Sequence, residues 1–244
     1  MRLWLSVLAF CCVPLQAAEP FALVEWQGQY RGYFEAPRLA QVLEQASQPQ
    51  IYWPAARLFR TDAESLAQAA SQQSLVLAQL EKARAYYLAD NDQAEAQAVA
   101  QLIASISQWQ VGLPVPGSMD IDRVRTQLKF NPKLNAGHYK LLAGKRPTQL
   151  TVLGMVAENT YPLQQGLRAS QLQLTTLPGA NKDIVYVVTP ADVKTVGVRF
   201  WNAETEPLAP WMTLLVGLDT DALPDELAEL NTQLAILVGY RMVE

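Results

Sequence analysis

Cysteine and histidine are scarce in this chain. Its 244 residues hold two Cys, adjacent at Cys11 and Cys12, and one His, His138. That leaves too few ligands for a zinc site and no Cys–His pair for nucleophilic catalysis. An excess of positive charge is missing too. Lys and Arg total 19 against 23 Asp and Glu, a formal net charge of −4, whereas a nucleic-acid binder presents a basic face. No Ser sits in a Gly-x-Ser-x-Gly elbow, so a serine hydrolase has no support. Beyond the N-terminus no run approaches 18 apolar residues, so no stable membrane span is expected. What is present is core material. Half of the chain is hydrophobic and 17% is charged, which excludes a disordered or fibrous chain.

The N-terminus reads as an address. Arg2 gives a positive start, residues 3–13 are apolar except for Ser6, Pro14 breaks the run, and Ala17-Ala18 suits cleavage. This is the pattern of a secretory signal peptide over residues 1–18. A lipoprotein signal ending at Cys11 is the rival, but Phe10 is larger than the residue such a site takes. Both cysteines fall inside the segment, so the mature chain enters an oxidising compartment without a disulfide. Loss of Arg2 from the 19 basic residues leaves 18 against 23 acidic, a net charge of −5.

Period and punctuation divide the rest. Residues 21–26 and 29–34 read as a strand hairpin. Pro37 opens a helix with Leu39, Val42 and Leu43 on one face, and residues 51–54 read as a strand ending at Pro54. Residues 61–109 contain no Gly or Pro and are rich in Ala, Gln and Leu. Their helical period predicts two helices joined at Asp90-Asn91-Asp92, capped by Thr61 or Asp62. Strand patterns then return. Residues 119–125 alternate with period two, 138–142 follow a turn, and Arg146-Pro147 marks a boundary. Strands over 150–156 and 161–163, a short helix near 167–174, and strands over 184–189, 194–201 and 212–218 complete the pattern. Two strands, a helix, then more strands occur twice, so two copies of one α+β roll fit, the first interrupted by the helical hairpin. The tail, 224–242, predicts an amphipathic helix with Leu227, Leu230, Leu234, Leu237 and Val238 as its stripe. It would be roughly 25 Å long at ~1.5 Å per residue, marginal against a bilayer core of about 30 Å. Packing on its own domain is the default for that stripe; release to a membrane or partner is the rival.

Few residues suggest chemistry. His138 has the place of a turn or surface residue. Asp120 and Asp122 lie two apart on an expected strand, so they share a face. Two carboxylates are too few for calcium, and a solvated face is the expected role. Arg123, Arg125 and Arg146 could fork onto carboxylates or sugar hydroxyls, or brace two domains through ion pairs. Trp53, Trp109, Trp201 and Trp211 have apolar contexts and are expected in the core, although aromatic faces also stack on sugar rings.

Several segments, taken in order, resemble the periplasmic GfcC-type capsule-biosynthesis proteins. Tyr52-Trp53-Pro54-Ala55-Ala56 is similar to that family's Trp-Pro-Gly-Ala signature, and the Ala/Gln-rich hairpin sits where the family has a helical insertion. The stretch 120–125, Asn131-Pro132-Lys133-Leu134, Arg146-Pro147 and Thr151-Val152-Leu153-Gly154 resemble its first half onward. Val187-Val188-Thr189-Pro190, Trp201-Asn202, Glu206-Pro207, Val216-Gly217-Leu218 and the amphipathic tail resemble its second half. The family carries Thr-Gly-Arg after the hairpin, with that Arg lining a central pocket. Here Pro116-Gly117-Ser118 is the best match, so Ser118 stands at the Arg position and that role does not carry over. Arg123 or Arg125 is then the candidate to fill the gap, with Ser118, Arg146 and Trp53 completing a candidate pocket or domain interface.

The resemblance implies tandem β-grasp (ubiquitin-like, SLBB-like) domains at 19–147 and 148–222, a hairpin insert at about 62–109 docked on the second domain, and a C-terminal helix at 223–244. It implies a non-enzymatic, periplasmic role in assembly or export of capsular polysaccharide or exopolysaccharide. The domain order is also similar to outer-membrane polysaccharide exporters, whose terminal helix builds a pore. Expected partners are outer-membrane export or β-barrel proteins, with capsule glycan as a further candidate and nucleic acid excluded. The chain is expected to be a monomer without cofactor, metal or catalytic residue. The rival classes are an enzyme using Asp120 and Asp122, and a pore component whose tail inserts.

Overall fold

The computed structural model describes residues 19–243 apart from Ser47, Ser118 and Glu206. The expected signal peptide, with Cys11 and Cys12, lies outside the described residues, as does Ser118.

The first sheet begins with the expected hairpin, β1 (Ala22–Trp26) and β2 (Gln29–Tyr33). Gln27 and Gly28 between them have φ of 51° and 73°, the left-handed pair of a tight turn whose twist suits flanking strands. Helix α1 (Leu39–Gln45) buries Leu39, Val42 and Leu43 at helical spacing. Its start is stitched to the Asn131-Pro132-Lys133-Leu134 segment. The Leu39 N–H donates to the Pro132 carbonyl at 3.0 Å, and the Ala40 N–H to Asn131 Oδ1 at 3.0 Å.

Two elements differ from the sequence reading in this half. Residues 51–54 form no strand. A 3-10 turn spans Trp53–Ala55, because Pro54 lacks the N–H a ladder needs, and the strand starts later as β3 (Arg57–Arg60). The expected helices are α2 (Ala63–Ala89), with Asp62 Oδ1 accepting the Ser65 N–H at 3.0 Å, and α3 (Gln93–Ser107). After the short β4 (Leu113–Pro114), residues 119–125 are not a strand. They hold helix α4 (Ile121–Thr126), because Asp120 Oδ1 accepts the Asp122 N–H at 3.0 Å and the Arg123 N–H at 3.4 Å and so caps a helix start. Asp120 and Asp122 therefore do not share a strand face. Strand β5 (Gly137–Leu142) closes the sheet, in the order β2-β1-β5-β3-β4, with β1 and β5 parallel.

The second sheet contains β6 (Gln149–Gly154), β7 (Thr160–Pro162), β8 (Ile184–Val188), β9 (Val193–Gly197) and β10 (Thr213–Val216). Its order, β7-β6-β10-β8-β9, repeats the first, again with the first and last strands parallel. The architecture is thus mixed α+β with two five-stranded mixed sheets. Gly154 has φ of 94°, and a Cβ there would run into the Val216 carbonyl, so β6 can end against β10 only with glycine at this position. The helix expected over 167–174 is a single 3-10 turn, Ala169–Gln171. Strand β9 stops at Gly197, so the alternation does not reach Trp201. Phe200 and Trp201 instead lie in a turn, 99% and 73% exposed, which overturns the core placement of Trp201.

The tail has a 3-10 turn, Asp225–Leu227, and then helix α5 (Leu230–Tyr240). Eleven residues give about 16 Å, shorter than the sequence suggested. Leu227, Leu230, Leu234, Leu237 and Val238 of its stripe are all buried. They join one core with the second sheet and with Val76, Leu80, Leu102 and Ile106 of the α2–α3 hairpin. The first sheet has a separate, smaller core built on Leu39, Leu43, Leu58, Val124, Tyr139 and Leu141. Among the described residues no helix is long and apolar enough to cross a membrane.

Candidate functional site

Alternation along β3 sets the site. Leu58 enters the first core, so Arg57 and Phe59 project from the opposite face of the sheet. On that face Glu25 of β1 pairs with Lys140 of β5 at 3.5 Å. The second sheet and the C-terminal end of α5 stand across from it. Between them lies a cleft of about 440 Å³, with Arg57 and Leu142 on one side, Thr151 and Trp211 on the other, and Arg241 at the tail. A second space of about 660 Å³ adjoins it through the shared residues Ala55, Leu142, Pro147 and Val243. There Trp26 contributes a buried indole N–H that finds no acceptor among the described residues.

The tail end is fixed in place by backbone pairing. The Gly112 N–H donates to the Tyr240 carbonyl at 2.9 Å, and the Met242 N–H to the Gln110 carbonyl at 2.8 Å. Arg241 is thereby held at the cleft, with its guanidinium 5.1 Å from the Trp109 ring centre. Burial pushes the pKa of both Arg57 and Arg241 below the ordinary arginine value. For each, desolvation is the sole cause. Arg57 has no hydrogen bond or ion pair from its side chain among the described residues. Other arginines do: Arg60 meets Asp62 at 3.0 Å, Arg125 meets Glu44 at 3.2 Å, Arg199 meets Asp183 at 3.0 Å, and Arg38 donates to the Asn131 carbonyl at 2.9 Å.

The residues singled out from sequence are only partly gathered here. Arg123 and Arg125 sit on α4. Arg123 lies 4.3 Å from the Phe130 ring centre and Arg125 pairs with Glu44, so each is engaged within the first half and neither lines the cleft. Trp53 packs on the first core. Arg146 does reach the junction of the two halves. Its guanidinium stands 5.2 Å from the Tyr52 ring centre, and Tyr52 lies 6.2 Å from Trp211 across the junction. The sequence reading missed Arg57 and Arg241. Arg57 carried one usable signal: a charge at the start of the Leu58-Phe59 pair, on the face opposite Leu58. His138 is exposed, as a surface residue should be. No group of three or more His, Cys, Asp or Glu is arranged for a metal among the described residues.

A family model described as capsule biosynthesis GfcC, N-terminal, matches residues 23–146, and one described as capsule biosynthesis GfcC C-terminal matches residues 161–243. The chain belongs to the capsule biosynthesis GfcC family. The first model takes in nearly all of the first sheet and the α2–α3 hairpin, and the second takes in β8, β9, β10 and α5, while β6 of the second sheet lies between the two matched segments. The cleft lies where those parts meet.

Proposed function

We propose that this protein is a non-enzymatic accessory factor in assembly or export of capsular polysaccharide, working in the periplasm by holding a ligand or partner between its two sheets. The observation that carries this reading is the cleft itself. It is lined by residues of both family-matched segments, by tail residues including Arg241, and by Arg57, which has no partner of its own among the described residues. Its volume is within the roughly 300–1,000 Å³ usual for ligand sites.

The enzyme reading fares worse. Hydrolysis of a glycosidic bond needs two carboxylates facing the same bond. The acidic pair offered by the sequence, Asp120 and Asp122, lies on α4, where the Asp120 carboxylate caps the helix. The pore reading needs the tail stripe to leave a core in which Leu230, Leu234 and Leu237 are fully buried. An outer-membrane export protein or β-barrel is the proposed partner.

A strain lacking this chain tests the reading. Polymer should still be made but be retained in the periplasm, with less attached at the surface. Unchanged surface display under conditions where polymer is made overturns it.

A further inference from the structure

An arginine held partly out of water without a partner costs stability, because its charge loses hydration and gains nothing in return. Arg57 is in that state, while the arginines around it are paired or stacked. Its placement therefore has no structural rationale within the chain. The cleft supplies a rationale. Arg57 lines it together with a second arginine, Arg241, that is also partly desolvated and bonded to no carboxylate among the described residues. Two cations on one cleft call for an anion, and a planar guanidinium fits a carboxylate with two parallel hydrogen bonds.

The rest of the lining narrows the class. Gln149, Asn159 and Thr160 offer amide and hydroxyl groups that can both donate and accept, which suits sugar hydroxyls. Trp211 offers an aromatic ring, held 6.2 Å from the Tyr52 ring, which in turn has the Arg146 guanidinium 5.2 Å from its centre. Aromatic faces pack against the C–H faces of sugar rings. A free inorganic anion would use the arginines and leave Trp211 and the amides idle.

We propose that the cleft binds an acidic saccharide, with the carboxylate of a uronic-acid unit held by Arg57 and Arg241 and a sugar ring against Trp211. The inference rests on the binding role proposed above and names the ligand class of that same cleft.

The test uses the purified full chain, titrated calorimetrically with trigalacturonic acid, with uncharged maltotriose and with glucose 6-phosphate. Trigalacturonic acid should bind and weaken with added salt, and maltotriose should not bind. R57Q and R241Q should each lower affinity by about tenfold or more, the loss expected for a charge-assisted bidentate contact, and W211A should also weaken binding. R57M supplies a readout that a bracing role would not give. With no partner to lose, its melting temperature should equal or exceed that of the parent. Equal binding of maltotriose and trigalacturonic acid overturns the proposal, as does no binding of the acidic trimer at millimolar concentration. Preference for glucose 6-phosphate over the uronate overturns the carboxylate assignment. A lower melting temperature in R57M with unchanged binding makes Arg57 a bracing residue and also overturns it. The export role fails separately: normal surface display in the deletion strain with intact uronate binding would remove that role alone.

Discussion

The two sheets share one strand order and differ in how they are covered. In the first, the step from β3 to β4 carries the whole α2–α3 hairpin, and in the second the matching step from β8 to β9 is a short turn closed by the Thr189 N–H on the Asp192 carbonyl at 2.8 Å. The first sheet also has α1 and α4 on its inner face, whereas the second has a single 3-10 turn in the place of α1. A sheet with an uncovered apolar face is not stable in water. The second sheet meets the need with helices from elsewhere: the hairpin that leaves the first sheet and the tail α5. The lesson is that the halves are alike in topology and unequal in self-sufficiency. That inequality joins them around the cleft.

The strongest way to break the comparison is to make the halves alike. Replacing residues 63–107 with a short turn should strip the second sheet of its cover. Amide exchange should then lose protection in β8 and β10 while β1 and β5 keep theirs; equal loss in both sheets would show that the cores are not separate. Next come Leu234→Ala and Leu39→Ala, each at a fully buried position. Each should cost about 2–5 kcal/mol in urea unfolding, and exchange should report the first in the second sheet and the second in the first sheet. Asn231→Ala is smaller. Its amide accepts the Leu218 N–H and donates to the Leu218 carbonyl, both at 2.8 Å, so removal leaves buried backbone groups unpaired, at about 1–3 kcal/mol.

A pH test probes the root of the hairpin. Burial tends to raise the Asp62 pKa, but hydrogen bonds from Ser65 and the charge and hydrogen bond of Arg60 outweigh it and hold the carboxyl below its ordinary value. A depressed folded-state pKa means that the stabilisation is present above the unfolded value of about 3.9 and is lost as pH falls through the folded value. Asp62→Asn should therefore give a shallower fall in melting temperature below about pH 4 than the parent shows. The smallest effect is expected from Glu44→Gln. It removes an exposed pair with Arg125 and should change stability by about 0–1 kcal/mol.

Much of this arrangement was legible in the chain. The helical hairpin announced itself by a long stretch without Gly or Pro and a steady helical period, and the β1–β2 hairpin by two short strand-like runs close together. Helix α4 was misread because Met119 and Ile121 stand two apart like strand residues, although Ile121 and Val124 stand three apart and Asp120 is a good cap. In so short an element the period is ambiguous, and the capping hydrogen bonds decided the outcome. Trp201 was misplaced because an alternating pattern does not reveal where a strand stops. The site was the least legible part. The pattern could place Arg57 near the start of a strand, but its lack of a partner depends on what the second half and the tail bring opposite it. Those contacts join residues far apart in sequence.

The strand pairings also set a timetable for folding. Ala22 must find Gly137, about 115 residues further on, whereas Thr151 needs Thr213, about 62 residues away. The α2–α3 hairpin, built from neighbours in sequence, has neither wait, and local contacts form fastest. Its apolar stripe must then stand in water until β10 and α5 arrive from the far end of the chain. On an unfinished chain that stripe is the surface most open to wrong partners, and the one a holding chaperone would find first.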